Sequence, residues 1–178
     1  TKMKKLFLLL LVAFTCVAAN AQLVTSTTVT KQKKAPSNSG MFLEVGVGKL
    51  GADWEGDGVA MDLGLGYRYG FSQYLAWDIL KVKAMAELSN FSESITPQVM
   101  TGIRGTSPEL FANMTAFASF SLGYGREIDI EDGGFCYEIQ VGLNITPKFN
   151  VGFVYDSQKL SDWDANLSLA GLRLGVRF

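Results

Sequence analysis

The 178-residue chain has no histidine and only four prolines. It has two cysteines, Cys16 and Cys136, and Cys16 sits inside an N-terminal apolar segment described below. Each shortage excludes something. Without histidine the usual base near neutral pH is missing, and no catalytic role is assigned to any residue. If the first 21 residues are removed, Cys136 is left alone and an intramolecular disulfide is impossible. After residue 21 no apolar run approaches the roughly 20 residues that a spanning helix needs. The formal charge of −1 gives no nucleic-acid signal. Even so, the mean hydropathy is +0.17, high for a soluble domain. A membrane protein without spanning helices has to be a closed barrel, because lipid cannot satisfy an open backbone edge.

The first segment reads as an address. Met3-Lys4-Lys5 supplies a positive start, Leu6 to Val17 is almost unbroken apolar sequence, and Ala19-Asn20-Ala21 is a small-x-small cleavage pattern. Residues 1–21 are therefore expected to be a cleaved Sec-type signal peptide. Its removal leaves thirteen basic and seventeen acidic side chains, a formal charge of about −4. Residues 22–39 are rich in Thr, Ser and Lys and are expected to form a flexible periplasmic lead.

From Gly40 the sequence takes on the period of two that belongs to strands. Eight stretches follow. Met41, Leu43, Val45 and Val47 alternate with Phe42, Glu44, Gly46 and Gly48. Val59 to Tyr69 alternate with Ala60 to Gly70. A third stretch, from about Leu75 to Leu88, changes phase near Ile79, which predicts a bulge. A short fourth covers about Gln98 to Gly105. Met114 to Gly125 and Phe135 to Thr146 make the fifth and sixth, and Phe149 to Tyr155 the seventh. The eighth ends Leu172, Leu174, Val176, Phe178, with Leu167 and Leu169 read as out of phase. One face is apolar; the other is mostly Gly, Ser, Thr and Asn with a few charges. Small residues suit a narrow barrel interior, and the apolar face then meets lipid. Tyr67, Tyr69, Trp77, Tyr124, Phe149 and Phe178 lie near strand ends, as an aromatic girdle requires.

The expected fold is all-β, an eight-stranded antiparallel up-and-down transmembrane barrel over residues 40–178. Its outer connections fall at about 49–57, 89–97, 127–133 and 157–165, and its inner ones at about 70–74, 106–112 and 147–148. Gly46-Val47-Gly48-Lys49-Leu50-Gly51 matches a dinucleotide-binding pattern but lacks the following helix, so no nucleotide and no other cofactor is assigned. The charges on the small-residue face form the one candidate site: Glu44, Asp62, Arg68, Lys81, Lys83, Glu87, Arg104, Glu138, Arg173 and Arg177. They are read as a structural ion-pair network that plugs the lumen, since unpaired charges there would be costly. No metal site is assigned. The acids of the outer connections, Asp53 to Asp57, Glu127 to Asp132, Asp162 and Asp164, are read as a solvated rim. Bridging of cations to lipopolysaccharide phosphates is the sharper alternative. Cys136 points inward.

With those features the chain resembles the small outer-membrane barrels of the OmpA and OmpX type, the porin-family barrels. The resemblance covers about residues 40–178 and is carried by the leader, the strand period and the ending Leu172-Arg173-Leu174-Gly175-Val176-Arg177-Phe178. The phrases Thr101-Gly102-Ile103-Arg104 and Leu122-Gly123-Tyr124-Gly125 resemble barrels of Bacteroidetes-like bacteria. The resemblance implies residence in a Gram-negative outer membrane as a monomer. It also implies contact with outer-membrane lipid and lipopolysaccharide, and Val176 and Phe178 as an insertion signal read by the barrel-assembly machinery. The family's polar-x-Gly opening is out of register here. A structural or interaction scaffold is the leading function. A narrow pore for small solutes and a soluble periplasmic lipid-binding barrel are the alternatives.

Overall fold

The computed structural model describes residues 38–52, 56–88, 95–128, 132–161 and 165–178. The predicted leader, residues 22–37, and the acids and tryptophans at 53–55, 129–131 and 162–164 lie outside the described residues. Eight strands close into one barrel, each pairing antiparallel with its neighbours in chain order. They are β1 (Gly40–Ala52), β2 (Gly56–Gly70), β3 (Leu75–Glu87), β4 (Ile95–Phe111), β5 (Met114–Arg126), β6 (Gly133–Asn144), β7 (Phe149–Leu160) and β8 (Ala165–Arg177). No helix among the described residues is long and apolar enough to cross a membrane. A barrel would cross with its strands.

The register fixes the barrel's shape. From Val47, the pairings in one direction pass Met61 and Ala86 to Ile95 on β4. In the other direction they pass Leu172, Phe153, Val141 and Ala118 to Gly105, ten positions further along the same strand. A stagger of ten residues at about 3.3 Å each, against eight strands about 4.8 Å apart, tilts the strands by about 40°. Side chains fill so narrow an interior.

Alternation then sorts the residues. Val45, Val47, Leu65, Val82, Val99, Ile103, Val141, Phe153, Leu172 and Leu174 are exposed on the outer wall. Glu44, Asp62, Lys83, Gln98, Glu138, Gln140, Asp156 and Arg173 are buried inside. Toward the inner end Tyr67, Tyr69, Trp77, Phe149 and Phe178 are exposed, and Tyr124 is exposed toward the outer end of β5.

The phase change in the third stretch is a real bulge: the β3–β4 register shifts between Asp78 and Lys81, leaving Ile79 and Leu80 both facing outward. The β2–β3 register shifts at the same place, between Tyr67 and Arg68. The eighth stretch differs from expectation. Leu167 and Leu169 keep the phase of Arg173 and point inward, fully buried. With Leu50, Ala60 and Met85 they form an apolar cluster inside the outer half of the barrel. An apolar side chain on the small-residue face looks like a slip in the sequence pattern and is interior packing in the structure.

Strands also outrun their hydrophobic pattern. β4 spans Ile95–Phe111, well beyond the expected Gln98–Gly105, and β7 continues to Leu160. Backbone pairing continues after one face stops meeting an apolar surroundings, so the period of two fades before the ladder ends. The connection expected at 106–112 shrinks to Ala112 and Asn113, with φ of 49° and 61°. Two consecutive positive φ values mark the hairpin turn whose twist matches the flanking strands. The Gly46–Gly51 motif lies wholly in β1, with no helix after it.

Candidate functional site in the barrel interior

Glu44 on β1, Asp62 on β2, Lys81 and Lys83 on β3, Glu138 on β6, Asp156 on β7 and Arg173 on β8 all point to the axis, each at most 3% exposed. Lys81 Nζ lies 2.6 Å from Glu44 Oε2 and 2.6 Å from Glu138 Oε1. Lys83 Nζ donates to Glu138 Oε2 at 2.9 Å and to Asp156, and lies 3.9 Å from Asp62 Oδ2. Arg173 donates to Asp62; its Nη1 sits 2.8 Å from Glu138 Oε1 and 3.5 Å from Glu44 Oε2. Four carboxylates thus enclose three cations, with Glu138 touching all three. Gln98 Nε2 caps the group, donating at 3.1 Å to both Asp156 Oδ1 and Gln158 Oε1.

The strand period makes this possible. Inward positions recur every second residue, so Lys81 and Lys83 stack on one strand and reach acids on strands across the lumen. Glycine makes room: a Cβ on inward-facing Gly46 would collide with the Asp62 carboxylate.

The other sequence-predicted residues lie elsewhere. Arg68 forms its own two-point pair with Asp78, Nε to Oδ1 at 2.5 Å and Nη2 to Oδ2 at 2.9 Å, and stands 4.8 Å over the Phe42 ring. Arg104 donates from Nη2 to Asn144 Oδ1 at 2.8 Å and stacks 3.4 Å from the centre of the Phe117 ring. Arg177 is at the inner rim, held by Asn38 Oδ1 at 3.1 Å and the Pro147 carbonyl. Glu87 is half-buried at the outer end of β3, beside Gly58 and away from the central group. Two buried acids escape the sequence reading: Asp156 in the central group and Asp78 in the separate pair with Arg68. Asp78 precedes the bulge, so its phase looked wrong. Asp156 lies just past the expected end of the seventh stretch.

The acidic rim is corrected in part. Glu127 and Asp132 are buried, at 3% and 4% exposure. Thr96 donates to Glu127, and Asp132 Oδ1 accepts from the Gly133 amide at 2.6 Å. Cys136 is buried inside. Among the described residues no group of three or more His, Cys, Asp or Glu side chains is placed to hold a metal ion.

No family model matches the sequence, and no curated protein matches it. Among solved structures, the chain is similar to Neisserial surface protein A, at 10% identity and a TM-score of 0.55 over 82% of this chain and 100% of that one. It also aligns with Ail, the attachment invasion locus protein of Yersinia pestis, at 16% identity and a TM-score of 0.49, covering 80% and 99%. At such identities a likeness bears on fold, and the fold is the closed eight-stranded barrel described above.

Proposed function

We propose that this protein is an integral barrel of a Gram-negative outer membrane, acting as a scaffold whose lumen is closed by its own side chains. One observation carries the reading: the wall is inverted relative to a soluble barrel. Valines, leucines and aromatics are exposed around the outside, while the most buried side chains include Arg104, Arg173, Lys83 and Glu138. An exposed apolar belt of this extent needs a lipid solvent. Aromatic residues at both ends of the strands suit the two interfaces.

The central charges support a closed lumen. A path for solute would have to part Lys83 and Arg173 from Glu138, and breaking a buried pair is expensive. Outward of these charges the Leu50, Met85, Leu167 and Leu169 cluster adds a dry layer. With every central carboxylate held by a cation, the interior serves to pack the barrel and carries no catalytic role. Val176 and Phe178, at the end of the stripe that Leu172 and Leu174 begin, would supply the signal read during insertion, with lipid and lipopolysaccharide as neighbours afterwards.

Fractionation and heat-modifiable gel migration test the membrane reading. The protein should appear in the outer-membrane fraction and migrate differently after boiling. Extraction without detergent would instead favour a soluble barrel. Planar-bilayer recordings test the plug: openings across pH and voltage would replace the scaffold with a pore.

A further inference from the structure

The inner mouth of the barrel contains a cavity of about 360 Å³, lined among others by Arg104, Arg177, Asn144, Thr115 and Thr146. Arginines predominate among its charged lining residues, whereas at the centre four carboxylates enclose three cations. Arg68 also borders it, but Asp78 satisfies that guanidinium with two hydrogen bonds. Among the described residues Arg104 and Arg177 bond only to neutral groups, the amide oxygens of Asn144 and Asn38 and the carbonyl of Pro147. No carboxylate forms an ion pair with either arginine among the described residues. Among the described residues the only carboxylate lining the cavity is Glu109, exposed at the rim, where it accepts from the Asn113 amide.

Arg104 is the more telling of the two. It is 2% exposed, and its Nη1 has no hydrogen-bond partner among the described residues. A guanidinium that cannot lose its proton and is buried without a counter-ion is costly. Its ring contact with Phe117 offsets only part of that cost. The same fork geometry matches an oxyanion, which would accept from Nη1 and supply the missing negative charge. The Thr115 and Thr146 hydroxyls line the same cavity as further donors.

We infer that the inner mouth is a binding site for a small oxyanion of the phosphate or carboxylate class, held between Arg104 and Arg177. Resting on the membrane orientation proposed above, the site opens at the inner end of the barrel and its ligand arrives from that side.

Isothermal calorimetry on the full refolded chain in detergent micelles, at low salt, tests this with inorganic phosphate and, separately, acetate. Saturable binding of one anion per barrel is expected, and the two arms separate a phosphate from a carboxylate ligand. Arg104→Met should weaken binding about tenfold or more, the value of a lost charged hydrogen bond. Asn144→Asp guards against a variant that fails to fold. It is isosteric, places a carboxylate 2.8 Å from Arg104 Nη2, and should abolish binding while raising the melting temperature in anion-free buffer. Lys148→Gln, on the nearby turn and outside the cavity lining, should bind as the parent does. Three results would each overturn the site: no saturable binding of either anion, parental affinity in Asn144→Asp, or an equal loss in Lys148→Gln. Heat-modifiable migration of the same samples reports the barrel separately, so loss of phosphate binding in a protein that still shifts on boiling strikes the site alone.

Discussion

Glu44 and Val45 are neighbours in sequence and stand on opposite sides of one strand. Glu44 is 3% exposed and touches Lys81; Val45 is 36% exposed on the outer wall. The same contrast repeats around the barrel, at Lys81 and Val82, Glu138 and Ile139, and Arg173 and Leu174. The two faces rely on different physics. The inner face is held by charge pairing among buried side chains, where each group depends on several others. The outer face is held by its solvent, one side chain at a time. Substitutions inside should therefore spread and those outside should stay local.

The largest effect is expected at Lys83, which contacts Glu138 and Asp156 and lies near Asp62. Lys83→Met leaves four central carboxylates with two cations. Removing one partner of a buried ionic group costs about 3–5 kcal/mol. Urea unfolding in lipid vesicles measures it. A cost under about 1 kcal/mol would mean that water already screens the centre.

Next comes the outer wall. Val45 sits midway along β1 between Met41 and Lys49, near the expected centre of the bilayer. Val45→Lys should cost about 2–4 kcal/mol, whereas Leu88→Lys, just past the outer end of β3, should cost about 0–1 kcal/mol. Equal costs in the same vesicle titration would break the claim that depth governs this face.

The two faces were not equally legible. The outer face can be read from sequence, because its exposed positions are apolar along most of each strand and the period of two is clean there. The inner face is harder. Glu44, Asp62 and Glu138 stood out as charges in phase with glycine. Asp78 was hidden because a bulge reverses the phase around Ile79, and Asp156 because β7 runs past its apolar pattern. Leu167 and Leu169 were misread because an interior can hold either a charge network or an apolar layer. Sequence alternation identifies a face but not what that face packs against. Which acid meets which base depends on the ten-residue stagger, and that emerges only when eight strands close.

The smallest effect expected tests how tightly the inner face is packed. Gly66 faces inward on β2, opposite Phe42 on β1. A Cβ there would run into the Phe42 ring and the Leu80 carbonyl. The ring is not free to leave, since Arg68 lies 4.8 Å above its centre and is pinned by Asp78. Gly66→Ala should therefore cost about 1–3 kcal/mol, the usual range for overpacking. Phe42→Leu alone should cost less than a full truncation, and the double variant should recover part of the Gly66→Ala loss by yielding space. Recovery cannot be complete, because the Leu80 carbonyl belongs to the ladder and stays. A double-mutant cycle on unfolding midpoints reads the coupling. Strict additivity would show that the inner mouth has slack, and the rule that inside changes spread while outside changes stay local would then hold only for the charged centre.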